Sequence, residues 1–232
     1  MINDKRVIAV IPARAGSKSI INKNIKLLAG KPLVAWPIET AQKSQYIDRI
    51  IVSTDGELIK SVAEQYGAEV YLRPENLAQD ESLVIDCVRD LIRRLKRENE
   101  DACYLVLLEP TSPLRSVEDV DLVIEKLLTH DSVATFMEAE LNPHRAWKVE
   151  GDMVVPFIDG AIPWLPRQKQ PEAYQLNGAV YGFHINKITI DGSPVLSGNI
   201  AAVMMPPERS VDIDNLIHFA IAEEIIKGEI NG

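Results

Sequence analysis

The run Val7-Ile8-Ala9-Val10-Ile11-Pro12 is the feature that most limits what this chain can fold into. An unbroken apolar stretch rich in β-branched residues reads as a strand buried on both faces, and such strands belong to parallel sheets covered by helices on each side. Pro12 closes the run, since a residue without an N–H is disfavoured in a central strand. The segment that follows, Ala13-Arg14-Ala15-Gly16-Ser17-Lys18-Ser19-Ile20-Ile21-Asn22-Lys23-Asn24, is small, polar and basic. Ligands gather at the carboxyl ends of strands in open parallel sheets, so a glycine loop with free backbone N–H groups beside Arg14, Lys18 and Lys23 suits a polyphosphate. Gly16 is its only glycine, so neither the Walker nor the dinucleotide pattern applies. An ordinary solvated loop with surface lysines fits the same residues, and this stretch alone does not decide between the two.

Further along, strand signals alternate with helical periods, which predicts an α/β fold with a mostly parallel sheet. Leu33 to Ser44 reads as a helix strained early by Pro37, and Arg49 to Ser53 as a strand. Asp55 follows, either capping a helix from Glu57 to Tyr66 or facing the ligand edge; capping is the preferred reading. Glu69 to Leu72 is a third strand that delivers Arg73 to a strand end, where a guanidinium reaches a base edge or phosphate or forms a surface ion pair. A polar loop over residues 77–82 leads to a helix starting at Ser82 and ending near Glu98. Tyr104 to Leu108 is the most apolar strand and is placed at the centre of the sheet, and the stiff loop Glu109-Pro110-Thr111-Ser112-Pro113-Leu114-Arg115 leaves it. Val117 to Leu128 reads as a helix, and Ser132 to Met137, Gly178 to Phe183 and Ile200 to Met205 as strands. In Asp212-Ile213-Asp214, strand-like alternation directs both carboxylates to one face, as a hard divalent cation requires, while Asp214 also suits the N-cap of a last helix from Leu216 to Ile226.

From Asn142 to about Gln175 the periodicity is lost. Long irregular insertions are uncommon inside compact domains, and Trp147 and Trp164 are costly to expose, so this segment reads as an extension burying its aromatics against a second subunit. A hairpin folded back on its own domain is the alternative.

Composition narrows the function classes. The formal net charge of -9 over 232 residues argues against non-specific binding to nucleic acid or an anionic membrane. No apolar run approaches the roughly 18 residues of a membrane span, and the polar start does not resemble a signal peptide. Cys87 and Cys103 sit in apolar-periodic segments and read as buried free thiols, which makes the cytoplasm the simplest compartment.

Read together, Ile11-Pro12-Ala13-Arg14-x-Gly16-Ser17-Lys18 with Lys23-Asn24, Ser53-Thr54-Asp55, Arg73-Pro74, Leu108-x-Pro110-Thr111-Ser112-Pro113-Leu114-Arg115, Asn177-Gly178-Ala179-x-Tyr181 and Asp212-Ile213-Asp214 resemble the acylneuraminate cytidylyltransferases, the CMP-sialic acid synthetases. The motifs fall in register over nearly the whole chain. The resemblance implies a three-layer, Rossmann-like nucleotidyltransferase fold with a mostly parallel, mixed sheet. It also implies a single domain over 1–232, with 140–175 an inserted extension through which two copies form a homodimer. The implied reaction joins CMP from CTP, with Mg²⁺, to the anomeric hydroxyl of a nonulosonic acid and releases pyrophosphate, as in cell-surface glycan biosynthesis. A 3-deoxy-manno-octulosonate cytidylyltransferase is the alternative enzyme, and a non-catalytic nucleotide-binding homologue the alternative of another class.

Position by position, Arg14, Ser17, Lys18 and Lys23 resemble the family's triphosphate-binding residues, within a nucleotide-binding loop that includes Ala13 and Gly16. Asn24 and Arg73 resemble those near the cytosine, and Ser82 a nucleotide-contacting serine. Arg14, Lys18, Lys23 and Asp212 form the implied catalytic set, and Asp212 and Asp214 resemble magnesium ligands. Thr111, Ser112, Asn177 and Tyr181 sit where the family lines the sugar pocket, and Arg167 resembles an arginine that reaches the neighbouring subunit's site. Glu109 departs from the family, which commonly has glutamine there. An ionised glutamate accepts hydrogen bonds but does not donate them, so the pocket either favours a partner with N–H donors, as in a legionaminate-type diamino sugar, or Glu109 pairs with Arg115. His130, His144, His184 and His218 fall in no motif and are read as structural.

Overall fold

The computed structural model describes residues 1–79, 81–188 and 196–228; Asp80, in the polar loop before the third helix, lies outside them. In chain order the elements are β1 (Val7–Pro12), β2 (Leu27–Leu28), β3 (Lys31–Pro32), α1 (Ala35–Lys43), β4 (Arg49–Thr54), α2 (Glu57–Gln65), β5 (Glu69–Leu72), α3 (Val84–Arg97), β6 (Tyr104–Leu108), α4 (Val117–Lys126), β7 (Ser132–Glu138), β8 (Trp147–Glu150), β9 (Met153–Pro156), β10 (Tyr174–His184), β11 (Ile200–Met204) and α5 (Leu216–Lys227). Seven strands form one sheet in the order β11-β7-β10-β6-β1-β4-β5. β6 is its middle strand and is buried at every residue, as its unbroken apolar sequence predicts. β10 runs antiparallel to both neighbours and the remaining pairs are parallel, so the sheet is mixed but mostly parallel.

Alternation along β1 builds the three layers. Val7, Ala9 and Ile11 face a core shared with Val34 and Ile38 of the first helical segment, Ile59 of α2 and Val123 of α4. Ile8 and Val10 face the opposite side, against Val88, Leu91 and Leu95 of α3. Pro37 strains nothing: α1 starts at Ala35, so the proline lies in the first turn, where a helix N–H has no partner to lose. α3 begins at Val84 rather than Ser82, because Leu83 is still extended. α4 opens on a capping box in which the Ser116 hydroxyl accepts from Asp119 N–H and the Asp119 carboxylate accepts from Ser116 N–H.

Residues 140–175 contain more regular structure than the sequence reading found. β8 and β9 pair as an antiparallel hairpin across Gly151, whose φ of 63° suits a tight turn. The strands are too short for a period to register, so the Gly-Asp turn was the available signal. Trp147 stacks on Trp164 with ring centroids 6.1 Å apart, yet Trp164 stays 74% exposed and Val149 also 74%. The hairpin therefore does not bury its apolar side chains on its own domain.

Candidate functional site

Parallel register brings the ends of β1, β4 and β6 to one edge: Pro12 is level with Ser53, and Val10 with Leu107. The basic loop after β1 is pinned there by its own backbone. Ala13 N–H donates to Ser53 O at 2.9 Å, and Ala15 N–H donates to Asp55 Oδ1 at 2.7 Å. Asp55 thus does not cap α2, whose N-cap is Gly56 without a side-chain bond; its carboxylate orders the loop instead. Gly56 permits the approach, since a Cβ there would lie 3.0 Å from the Ala15 side chain. Asn24 is buried and donates to Arg14 O at 2.9 Å. Lys23 Nζ crosses to the far end of the chain and donates to Ile213 O at 2.8 Å, between the two aspartates.

These contacts enclose a cavity of about 400 Å³ bordered by Arg14, Ser17, Lys18, Lys23, Asn24, Arg73 and Ser82. Ala13 and Gly16 are not among its lining residues: Ala13 is fully buried, and Gly16 shapes the turn with φ 73°. Arg73 is not the surface ion pair that an arginine usually makes. It is buried, its Nη2 donates to Ser53 O at 2.8 Å, and its Nε has no hydrogen-bond partner; burial lowers its pKa.

A second cavity of about 570 Å³ is bordered by Glu109, Gln175, Asn177, Tyr181, Asp212, Asp214 and His218. Glu109 and Asp214 border both cavities, which therefore meet at these carboxylates. The residues expected to share a sugar pocket divide. Glu109, Asn177 and Tyr181 border the second cavity, whereas Thr111 borders the first and accepts Ile213 N–H at 2.8 Å. Ser112 borders neither: it is fully buried, and its hydroxyl donates to Asn177 O at 3.3 Å. Arg167 lies in a separate groove at the base of the extension, paired with Glu138. His218, which falls in no motif, lies beside Asp214. It borders the second cavity, and its Nδ1 accepts Asp214 N–H at 3.3 Å; its place four residues after Asp214 was the signal.

Asp212-Ile213-Asp214 is not a strand. Asp214 N–H turns back to Asp212 O at 3.1 Å, and Asn215, not Asp214, caps α5 by accepting from Ile217 and His218 N–H. The capping role passes one residue on and leaves Asp214 facing the cavities. Burial raises the pKa of Asp212, opposed by the Thr111 hydrogen bond, and its Oδ1 is buried with no partner. Among the described residues no three His, Cys, Asp or Glu form a metal cluster. Two carboxylates with one orphaned oxygen nevertheless fit a Mg²⁺ ion, which keeps several waters and takes its other ligands from substrate phosphates.

Burial and then the Asp212 charge push the Glu109 carboxyl up to about 7, against Arg115 and Lys23. Glu109 thus carries an O–H donor below that pH and only accepts above it. Arg115 is buried and donates to the backbone carbonyl of Glu109, with burial lowering its own pKa to about 9. A carboxyl raised on folding favours the fold while protonated, so stability declines as pH rises from the ordinary glutamate range through about 7 and levels off above. Glu109→Gln lacks this penalty, and its melting temperature relative to wild type is expected to be higher at pH 8 than at pH 5. A difference that does not change with pH would refute this assignment.

Comparison with known proteins identifies the family. A family model described as cytidylyltransferase matches residues 8–191. The chain is 36% identical over 226 residues to CMP-N,N'-diacetyllegionaminic acid synthase of Legionella pneumophila, covering 96% of this chain and 97% of that one. It is 32% identical over 222 residues to N-acylneuraminate cytidylyltransferase of Escherichia coli, covering 94% of this chain and 51% of that longer protein. The structure of CMP:2-keto-3-deoxy-manno-octonic acid synthetase complexed with CTP shares the fold, with a TM-score of 0.72 at 14% identity, covering 97% of this chain and all of that one. The matched region includes the basic loop, Asp55, Arg73 and the Glu109 loop, and by this measure the chain belongs to the cytidylyltransferase family.

Proposed function

We propose that this enzyme joins CMP from CTP to the anomeric hydroxyl of a nonulosonic acid of the N,N'-diacetyllegionaminic type, releasing pyrophosphate. The observation that carries this reading is the meeting of a basic cavity and a carboxylate-bordered cavity at Glu109 and Asp214, with Lys23 reaching Ile213 across the junction. Arg14, Lys18 and Lys23 neutralise the triphosphate, and Arg73 and Ser82 hold the nucleoside end. The hydroxyl oxygen bonds to the α-phosphorus as the bond to pyrophosphate breaks, and the hydroxyl proton is released to solvent. No enzyme nucleophile is required, so positioning and charge neutralisation supply most of the acceleration. Asp212 and Asp214 would hold Mg²⁺, which when bound offsets phosphate charge and lowers the pKa of the attacking hydroxyl.

Glu109 supports the diamino-sugar acceptor: above pH 7 its carboxylate accepts hydrogen bonds and favours a partner that brings N–H donors. Relatives named for N,N'-diacetyllegionaminic acid, from Legionella pneumophila and Campylobacter jejuni, support the same choice. Likeness to the octonic acid synthetase extends to the fold alone. We place the reaction in the cytoplasm, in a homodimer joined through residues 140–175; the exposed apolar side chains of β8 and β9 support that pairing, and equilibrium sedimentation tests it. Pyrophosphate release with CTP and a panel of acceptors tests the function. N,N'-diacetyllegionaminate should give the highest kcat/KM at pH 8, and a strong preference for N-acetylneuraminate or for the octulosonate would overturn the acceptor.

Asp55 supplies a further prediction. Asp55→Ala removes the acceptor for Ala15 N–H and loosens the loop that meets the triphosphate. KM for CTP should rise about tenfold with a smaller change in kcat, as expected for a group that acts through ground-state positioning. An unchanged KM would show that the loop is ordered without it.

A further inference from the structure

We propose that Asn177 is a positioning residue for Asp212 and does not contact the acceptor sugar, although it borders the sugar cavity. An asparagine amide has two N–H donors and two acceptor lone pairs, and here all four are taken within the protein. Oδ1 accepts from the Thr135 hydroxyl at 2.7 Å and from Ala179 N–H at 3.2 Å. Nδ2 donates to Ser210 Oγ at 2.9 Å and lies 3.3 Å from Met205 Sδ. Ala179 N–H can only donate, so the amide orientation is fixed by chemistry. The residue is 4% exposed, and nothing remains of its hydrogen-bonding capacity for a ligand.

The Nδ2 side of the amide leads to the acidic segment. Ser210 lies two residues before Asp212, and its hydroxyl donates onward to Pro206 O at 2.8 Å, which closes the turn carrying the segment across the cavity. Ser112, in the loop after β6, donates to Asn177 O at 3.3 Å. The irregularity in β10 between Leu176 and Tyr181 leaves Gly178 at φ 72°, where a Cβ would lie 3.6 Å from Asp212 Oδ2. Asn177 and Gly178 thus lie beside the acidic segment, Asn177 tied to its chain through Ser210, and Gly178 supplying the left-handed turn that brings β10 within van der Waals reach of the Asp212 carboxylate. Thr135 supports the amide from behind: it is buried, borders neither cavity, and also accepts Val180 N–H at 2.9 Å.

The proposal rests on Asp212 as a Mg²⁺ ligand, and the test separates the two claims by leaving out the acceptor. CTP binding is measured by calorimetry on the full chain in Mg²⁺ and in EDTA, for wild type, Asn177→Ser, Thr135→Val and Asp212→Asn. Groups that orient a metal ligand typically cost about tenfold or more in metal affinity when removed. Both Asn177→Ser and Thr135→Val should therefore weaken Mg²⁺-supported CTP binding about tenfold, with binding in EDTA within about twofold of wild type. Hydrogen exchange should rise at residues 206–214 in both variants. Thr135→Val removes only a buried hydroxyl, which keeps the test open if Asn177→Ser does not fold. Normal Mg²⁺-supported CTP binding in both variants would overturn the proposal, and a raised acceptor KM for Asn177→Ser alone, measured separately by pyrophosphate release, would then make Asn177 a sugar contact. If Asp212→Asn leaves that binding unchanged, the metal reading of Asp212 fails first and the proposal falls with it.

Discussion

Asp212→Asn should lower kcat by about two to three orders of magnitude while raising the melting temperature of the protein without ligands. Both effects have one cause. The carboxylate is held against burial that raises its pKa, and one of its oxygens lacks a partner, so at neutral pH the ionised group opposes folding. Its pKa is higher in the folded than in the unfolded chain, so stability is lost as pH rises through the folded value. A neutral isostere recovers that stability and gives up a negative oxygen on the border of the second cavity, the stability–activity conflict expected of a functional group. Steady-state kinetics and thermal melts at pH 7 to 8 check the pair of outcomes. Near-normal turnover would remove Asp212 from the chemistry, and a marked fall in melting temperature would make it structural.

Lys23→Met should reduce kcat/KM for CTP roughly a hundredfold, the scale on which removal of one preorganised charge acts at a phosphoryl centre. The lysine does two things at once. It contributes a cation to the basic cavity, and its ammonium holds the main chain between Asp212 and Asp214. Its loss should therefore also raise hydrogen exchange at residues 211–214, an effect that a purely electrostatic role would not produce. Kinetics within about threefold of wild type would return the first loop to an ordinary solvated connection.

The places where sequence reasoning and structure part are instructive because they share a cause. Asp55 and Asp214 both stand where a helix cap is expected, yet Gly56 and Asn215 occupy those positions, leaving Asp55 to order the basic loop and Asp214 to border the cavities. Local capping preference is degenerate among small polar residues, and the choice is made by a competing partner far away in sequence, here Ala15 N–H for Asp55. Ser112 sits in a motif read as lining the pocket, but it is fully buried beneath Asn177. His218 belongs to no motif and was missed, because it joins the second cavity only once α5 is capped at Asn215 and its first turn faces Asp214.

What the chain declared by itself was the periodic part: the double-sided burial of β1, the central place of β6, the mostly parallel sheet, and the basic loop at a strand end. Those features follow from local hydrophobic pattern, which sets which faces leave water whatever lies opposite. The pairing of polar groups was decided only by the tertiary structure. Each buried carboxylate, amide and guanidinium must find a partner or remain unsatisfied, and which partner comes within hydrogen-bonding distance depends on how segments such as Lys23 and Ile213 are brought together when the sheet closes.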